Sequence, residues 1–294
     1  MTLESWILAE LSGRAGRGER PCIGLNGPVG AGKSTLARHL QQVCAEAGLR
    51  LAVVSIDDAY LPWQERQQAM AGNPFGVSRV PPGSHEPQRL LHALQQWRAQ
   101  PGEGPAGLVL PRFNKTLRGG DGDRVADWHG EADALLLEGW LVGCRCLAPG
   151  DLEAALDSGQ GLQRLSVRER QWVPHWNRQL AAYRPVWDQL DLQLMLWPAR
   201  WELPRRWRFQ AEARQRAQGG GWMAPAALNA VVRASLCSLP PWLYQKPVLQ
   251  RGDWVRLLDG RRRSLWEGSG TALLERMERD REDQASSPSS SATG

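Results

Sequence analysis

A glycine-rich turn between two apolar segments constrains this chain more than any other feature. The run Cys22–Leu25 is typical of a buried strand, and the pattern from Ser34 to about Ala47 predicts a helix. Between them, Gly27-Pro28-Val29-Gly30-Ala31-Gly32-Lys33-Ser34 matches GxxxxGK[ST], the phosphate-binding P-loop. Because the motif follows a strand and opens a helix, it predicts a nucleoside triphosphate site.

The residue types of this motif explain the prediction. Glycines let successive backbone N–H groups face phosphate oxygens, and the helix that follows adds the positive end of its dipole. Lys33 is expected to reach the β- and γ-phosphates, and the Ser34 hydroxyl to ligate Mg²⁺. The predicted nucleotide contacts are Gly27, Gly30, Ala31, Gly32, Lys33, Ser34 and Thr35.

The segments around the P-loop predict an α/β protein with a parallel sheet. A second apolar run, Leu51–Ile56, follows the helix and completes a strand–helix–strand unit, which implies parallel strands. Further strands are predicted at 108–110, 134–137, 192–196 and 255–258, and helices at 3–11, 86–99, 166–190, 204–218 and 225–236. We expect one domain over 1–285, with its N-terminal helix within 1–18 and its core at about 20–260. A disordered Ser-rich tail is expected at 286–294.

Composition excludes several classes of protein. Of the 294 residues 42% are hydrophobic, enough for a core, and no apolar run approaches the roughly 18 residues of a membrane helix. The net charge of +5 is mild and includes no block of basic residues, so neither nucleic acid nor a membrane is an expected partner. Five cysteines form no disulfide framework, and the N-terminus lacks the basic start of a signal peptide. We expect a cytoplasmic protein.

Acidic residues end two of the predicted strands. Asp57 and Asp58 follow the second strand, and Glu138 follows Leu135–Leu137. Ligands in such sheets bind beyond the carboxyl ends of the strands. Asp57 is predicted to accept the proton of an acceptor hydroxyl, and Glu138 and Asp58 are predicted to help Ser34 hold Mg²⁺. For each acid the alternative is a helix cap or a turn former.

Cations in the loops suggest an anionic acceptor. His85, Lys115 and Arg124 together could hold a carboxylate or phosphate, although each could also be a solvated loop residue. The predicted helix 204–218 carries several arginines, among them Arg208. It is either a solvated basic face or a lid whose guanidinium groups neutralise charge on the transferring phosphoryl group.

A series of longer motifs resembles one family of kinases. The segments are SIDDAYL (55–61), PPGSHE (81–86), PRFNKT (111–116), GDGDR (120–124), LLLEGWLVG (135–143), WNRQLAAYRPVWDQLD (176–191) and WRFQAEARQR (207–216). In this order they resemble the P-loop kinases of small metabolites, the uridine kinase and phosphoribulokinase group, and within it the plant and cyanobacterial D-glycerate 3-kinases. The resemblance covers roughly residues 20–260.

The resemblance implies transfer of the ATP γ-phosphoryl group to the 3-hydroxyl of D-glycerate, with Mg²⁺. It also implies a P-loop NTPase fold with a five-stranded parallel core sheet, flanking helices and a helical lid region. The site residues expected on this basis are Lys33, Asp57 and Arg124 in catalysis, Arg208 on the nucleotide, and Asp57, Tyr60, His85, Lys115 and Arg124 on the substrate.

The sequence departs from the family pattern at three positions. Asn114 and Glu86 stand where the family usually has Asp, and Ala59 where an aromatic residue is usual. Asn114 removes a charge beside the predicted acceptor site. A nucleoside, pantothenate or another sugar derivative therefore remains an alternative acceptor. A non-enzymatic ATP-dependent regulator is a further alternative, because P-loops also serve as conformational switches.

Overall fold

The computed structural model describes residues 1–219 and 223–286, the last six of them as backbone alone. The described part contains two β-sheets. Its strands are β1 (Cys22–Asn26), β2 (Leu51–Ser55), β3 (Ala106–Asn114), β4 (Asp123–Ala132), β5 (Ala134–Gly139), β6 (Leu192–Pro198), β7 (Trp254–Leu258) and β8 (Ser264–Gly268).

Helices surround the larger sheet. They are α1 (Leu3–Ala15), α2 (Lys33–Glu46), α3 (Trp63–Ala69), α4 (Pro87–Arg98), α5 (Pro149–Ser158), α6 (Val167–Gln179), α7 (Arg184–Trp187), α8 (Leu203–Ala217), α9 (Pro225–Cys237), α10 (Pro241–Tyr244), α11 (Lys246–Gln250) and α12 (Gly270–Ser286). Short 3₁₀ helices lie at Ile56–Ala59, Arg118–Gly120 and Leu180–Tyr183.

The central sheet has the strand order β2-β5-β1-β6-β7-β8. The first five strands are parallel, and β8 is antiparallel to β7 at one edge. Because β1 lies between β5 and β6 and is covered by helices on both faces, all five of its residues are buried. The predicted α/β fold with a five-stranded parallel core is confirmed.

Helices on the two faces of this sheet form two hydrophobic layers. On one face, α1 and α2 pack through Ile7, Leu36 and Leu40 against Leu25 and Leu194 of the sheet. The other layer is larger and includes Trp97 of α4, Trp176 of α6 and Tyr183. Of the 15 tryptophans six are buried and six more pack, partly buried, against these layers, so this residue type serves chiefly as core. The buried ones are Trp97, Trp140, Trp176, Trp187, Trp197 and Trp207.

One predicted strand does not join the central sheet. The apolar positions 108–110 belong to the longer β3, which pairs antiparallel with β4 in a separate two-stranded sheet. Residues 123–132, for which the sequence predicted no strand, form β4. Of the ten residues of β4 five are partly buried and four are exposed, so the strand carries little of the hydrophobic alternation from which strands are predicted. A register shift between Leu110 and Arg112 leaves Pro111 at the irregularity.

The ends of the chain differ in detail from the prediction. Helix α1 begins after Thr2, whose hydroxyl accepts a hydrogen bond from the Ser5 N–H, and ends at Ala15. Strand β8 and helix α12 were not predicted. Ser286 is the last residue of α12, and the rest of the predicted tail, 287–294, lies outside the described residues. No helix in the described part of the chain has both the length and the apolar character to cross a membrane.

Candidate nucleotide and acceptor site

The P-loop lies at the carboxyl end of β1 and leads directly into α2. Its backbone turns through positive φ at Gly30 (φ 76°) and Gly32 (φ 100°), a conformation that side chains with a Cβ rarely adopt. Helix α2 begins at Lys33, so its N-terminal N–H groups point into the loop. Ala31 is buried, whereas the Ser34 and Thr35 side chains are exposed at the helix start. This is the phosphate cradle that the sequence predicted.

Gly30 is also where the P-loop meets α8. A Cβ on Gly30 would lie 2.7 Å from the Arg208 backbone nitrogen and 2.9 Å from the Trp207 carbonyl carbon. Arg262, in the turn between β7 and β8, connects the same two elements. Its Nε donates to the Gly30 carbonyl (2.7 Å) and its Nη2 to the Trp207 carbonyl (2.8 Å). Sequence patterns gave no signal for Arg262, because the contact joins segments that are distant in the sequence.

Lys33, Ser34 and Glu138 meet beside the cradle. The Ser34 hydroxyl donates to Glu138 Oε1 at 2.8 Å, and Lys33 Nζ lies 4.0 Å from Glu138 Oε2. Lys33 Nζ also donates to the Pro28 carbonyl at 3.2 Å. Burial lowers the pKa of Lys33, although the negative charges of Glu138 and Asp57 oppose this effect. The structure therefore places the predicted metal ligands Ser34 and Glu138 together.

Asp57 lies at the end of β2, close to two of the predicted substrate residues. Lys115 Nζ donates to Asp57 Oδ2 at 2.6 Å, and His85 Nε2 lies 3.9 Å from Asp57 Oδ1. Burial would raise the pKa of Asp57, but the charge of Lys115 and the neighbouring His85 outweigh it and hold this pKa well below its usual range. Asp57 is thus a carboxylate at neutral pH.

The hydrogen bonds of His85 indicate which of its ring nitrogens carries a proton. The Tyr183 hydroxyl accepts from the Gly83 N–H (3.1 Å) and lies 2.8 Å from His85 Nδ1, to which it can then donate. Burial lowers the pKa of His85, so the ring is neutral at pH 7 and Nε2 carries the proton. Nε2 is buried without a hydrogen-bond partner among the described residues. Tyr60 stacks on the same ring, with 4.3 Å between centroids.

A single cavity joins the phosphate cradle to Asp57. Its volume is about 240 Å³, room for a small acceptor next to the terminal phosphates. Eight of the site residues predicted from the sequence line this cavity: Gly30, Lys33, Ser34, Asp57, Tyr60, Lys115, Glu138 and Arg208. Most of the charged groups that share this space were therefore predicted.

Two predicted residues have other partners. Asp58 accepts hydrogen bonds from the Ser55 N–H (3.1 Å) and the Phe113 N–H (3.3 Å), so it caps the 3₁₀ turn, which is the alternative that we kept open. Arg124 donates to the Tyr60 carbonyl (2.8 Å) and forms an ion pair with Glu86. Arg124 lies behind Tyr60 rather than in the cavity lining, so its predicted contact with substrate stays a prediction.

The sequence left two interpretations of α8 open, a solvated basic face and a lid whose arginines reach the phosphates, and its arginines do not all fit the same one. Arg208 lines the cavity and forms an ion pair with Glu212 at 2.7 Å. Arg206 and Arg214 are exposed on other faces of the helix, and Arg205 donates to Asn229 Oδ1 at 3.2 Å. One arginine therefore faces the cradle, while most of the others belong to a solvated face.

Arg79 is a cavity residue that the sequence analysis missed. It is 8% exposed and lines the cavity together with Val80. It precedes the Pro81-Pro82-Gly83 turn of a motif that we had singled out, and this proximity was the only available signal. Among the residues described by the structure, no group of three or more His, Cys, Asp or Glu side chains is arranged to hold a metal ion.

The phosphate cradle at the end of a central parallel strand defines a P-loop nucleotide-binding protein. A family model described as Methylmalonyl Co-A mutase-associated GTPase MeaB matches residues 3–61, about a fifth of the chain. This match covers α1 and the cradle and ends just beyond β2.

Two relatives match over most of the chain. The chloroplastic D-glycerate 3-kinase of Arabidopsis thaliana is 29% identical over 230 residues, which cover 75% of this chain and 47% of that protein. The uncharacterized kinase mug58 of Schizosaccharomyces pombe is 30% identical over 214 residues, covering 66% of this chain and 70% of that protein. This chain therefore belongs to the D-glycerate 3-kinase-like family of P-loop kinases. It spans about half the length of the Arabidopsis protein.

Solved structures agree on the fold. D-glycerate 3-kinase from Cryptococcus neoformans var. grubii has a TM-score of 0.75 at 22% identity, covering 92% of this chain and 99% of that one. The YGR205w protein has a TM-score of 0.69 at 20% identity, covering 91% and 98% of the two chains. The predicted P-loop kinase fold is confirmed.

Proposed function

We propose that this chain is an ATP-dependent kinase that phosphorylates the 3-hydroxyl of D-glycerate to give 3-phosphoglycerate. The observation that carries the proposal is the cavity shared by Lys33 of the phosphate cradle and the carboxylate of Asp57. The activity named for the Arabidopsis and Cryptococcus relatives supports this choice of acceptor. We propose that residues 1–285 act as one kinase domain. The five free cysteines, four of them buried, support a place in the cytoplasm.

In this proposal, the P-loop holds the phosphates of ATP. The backbone N–H groups of Gly30 to Thr35, Lys33 and Arg208 would contact phosphate oxygens. The Ser34 hydroxyl and the Glu138 carboxylate offer adjacent hard oxygen ligands, which fit Mg²⁺ completed by phosphates and water. The ion would neutralise charge on the β- and γ-phosphates.

Asp57 would bind the acceptor hydroxyl. As the hydroxyl oxygen bonds to the γ-phosphorus, its proton passes to the Asp57 carboxylate, and the bond to the β–γ bridging oxygen breaks to release ADP. A carboxylate with a depressed pKa is a weak base. The loose transition state of phosphoryl transfer requires little proton removal at an early stage, so orientation of the hydroxyl is the larger contribution of Asp57. The ammonium of Lys115 would contact the acceptor. The buried His85, whose Nε2 lies 3.9 Å from Asp57 Oδ1, would help to orient that carboxylate.

The Lys115–Asp57 ion pair predicts a change in the pH profile. Lys115→Met removes the charge that counteracts burial, so the pKa of Asp57 rises. Since activity requires the carboxylate, the acid limb of kcat/KM should move to higher pH. Lys115→Arg keeps the charge and should leave the limb in place. An acid limb that is identical in Lys115→Met and the wild type would contradict the assigned role of Asp57.

The direct test is a product assay. Purified protein with ATP, Mg²⁺ and D-glycerate should form ADP and 3-phosphoglycerate in equal amounts, with the phosphorylated position identified by ³¹P NMR. The panel of acceptors should include a nucleoside, pantothenate and sugar derivatives. A faster reaction with one of these acceptors would replace D-glycerate in the proposal. Slow ATP hydrolysis with every acceptor, together with a protein partner in pull-downs, would favour the regulator.

The placement of Asn114 weakens the case for another acceptor. Its Oδ1 accepts hydrogen bonds from the Thr116 N–H (2.9 Å) and the Thr116 hydroxyl (2.7 Å). The side chain therefore closes a turn, as an Asp would, and does not line the cavity. We infer that the departure from the family pattern at Asn114 acts on the loop that carries Lys115 rather than on the acceptor.

A further inference from the structure

Arg79 is a buried cation without an acidic partner. Its Nη1 lies 3.5 Å from the Asp121 carbonyl oxygen and its Nη2 lies 3.9 Å from the Met223 sulfur, both weak contacts for a guanidinium. Within residues 1–219 and 223–280, no carboxylate forms an ion pair with it. A buried charge without a counter-ion is costly, so this arrangement suggests that an anion binds here during function.

The neighbouring buried arginine shows the contrast. Arg66 is fully buried, and it donates to the carbonyl groups of Leu61 (2.9 Å), Asp121 (2.8 Å) and Gly122 (2.7 Å). Its guanidinium also lies over the Phe113 ring at 4.9 Å. Arg66 therefore has a structural role, whereas the contacts of Arg79 leave most of its five N–H donors available.

The backbone around Arg79 is strained and fixed at both ends. Val80 has φ 96°, which is rare for a β-branched residue. Before this point the Ser78 hydroxyl donates to the Asp121 carboxylate at 3.1 Å, and after it the Gly83 N–H donates to the Tyr183 hydroxyl. Backbone strain that the surroundings maintain is concentrated at functional sites. Here it holds Arg79 in the wall of the cavity.

The other cations near the cavity are already paired. Arg79 lines the same cavity as Tyr60 and Asp57, the residues expected to face the acceptor. Its charge also opposes the rise in the Tyr60 pKa that burial and Asp57 cause. The pairs of the other cations are Lys33 with Glu138, Lys115 with Asp57, Arg208 with Glu212, Arg112 with Asp58, and Arg124 with Glu86.

We infer that Arg79 binds the carboxylate of the acceptor and so selects a short hydroxy acid over an uncharged alcohol. This inference rests on the proposed kinase function and assigns its substrate class to one residue. The guanidinium fork matches a carboxylate in two parallel hydrogen bonds. With the acid group held at Arg79, the hydroxyl would lie toward Asp57 and the phosphates.

The test compares an acid with its neutral amide. With D-glycerate, Arg79→Gln should lower kcat/KM about 100-fold, the loss expected for a buried charge-assisted pair. With D-glyceramide the loss should stay within about threefold, and KM for ATP should not change. Arg79→Lys should keep part of the preference for the acid, because it retains a charge without the fork. Arg145→Gln, at an arginine paired with Asp188 outside the cavity, is the matched control.

Four further outcomes complete the test. Equal losses with acid and amide would overturn the inference and would place Arg79 on the γ-phosphate. A large fall in melting temperature would show a structural role, since replacing an unpaired buried charge by Gln should leave the stability unchanged or higher. Calorimetry with D-glycerate and a non-hydrolysable ATP analogue separates binding from turnover. If the wild type binds D-glycerate without phosphorylating it, and Arg79→Gln removes that binding, the proposed function is refuted while the role of Arg79 stands. No binding of D-glycerate to the wild type would refute both.

Discussion

Lys33→Ala is expected to lower kcat/KM for phosphoryl transfer by about 10³-fold or more. Lys33 is the cation of the phosphate cradle, 11% exposed in its side chain and surrounded by the Pro28 carbonyl and Glu138. Its charge would act on the β- and γ-phosphates at the stage where negative charge moves toward the leaving oxygen. Steady-state assays of ADP release at saturating D-glycerate measure the loss.

The chain provides a matched control for this experiment. It contains three lysines, Lys33, Lys115 and Lys246, and Lys246 lies at the start of α11, outside the cavity. Lys246→Ala should keep wild-type kinetics. Lys33→Met retains the apolar stem and separates loss of charge from loss of packing. If Lys33→Ala kept a tenth or more of the wild-type activity, the assignment of the phosphate site would be wrong.

Asp57→Asn is expected to lower kcat about 10²- to 10³-fold while the affinity for ATP changes little. The amide keeps the shape of the side chain, but without the negative charge it loses the ion pair with Lys115 at 2.6 Å and orients the acceptor hydroxyl less firmly. It also cannot take the hydroxyl proton. Single-turnover measurements with labelled ATP would separate this effect on chemistry from effects on product release.

Asp58 offers the comparison that makes this experiment specific. It follows Asp57 directly but accepts backbone hydrogen bonds in the capping turn. Asp58→Asn should therefore lower the free energy of unfolding by about 1 kcal/mol or less and change kcat only a few-fold. An equal loss of kcat in the two variants would restore the predicted metal-binding role of Asp58, and a loss confined to Asp57→Asn would support the cap.

The sequence predicted those parts of the molecule that local signals specify. The strand, P-loop and helix from Cys22 to Ala47 are marked by apolar periodicity and by residue types that serve one chemistry, and the structure places them as expected. The prediction failed where tertiary contacts determine the secondary structure. Strand β4 is held by pairing with β3 rather than by its own hydrophobic pattern.

Within the candidate site, too, local sequence patterns mark some residues and leave others unmarked. Asp57 and Glu138 were found because they end buried strands, where side chains must face the ligand edge of the sheet. The sequence does not indicate which of Arg124 and Arg79 faces the cavity, since neither lies in a segment with a clear hydrophobic pattern. Their difference depends on distant partners: Glu86 neutralises Arg124, and no described carboxylate neutralises Arg79.

The two hydrogen bonds of Arg262 restrict how the cleft can widen. Rotation of α8 away from Gly30 would have to break at least one of the bonds that Arg262 makes to the two carbonyl groups. Helix and cradle therefore form one wall that resists hinge motion on the nucleotide side. Entry of the acceptor would then depend on the opposite wall, where the Lys115 side chain is 56% exposed and bonded to Asp57, the proposed base. In the proposed mechanism the acceptor would displace Lys115 from Asp57 as it enters, so this carboxylate would stay covered until the acceptor is present, which would limit wasteful transfer to water.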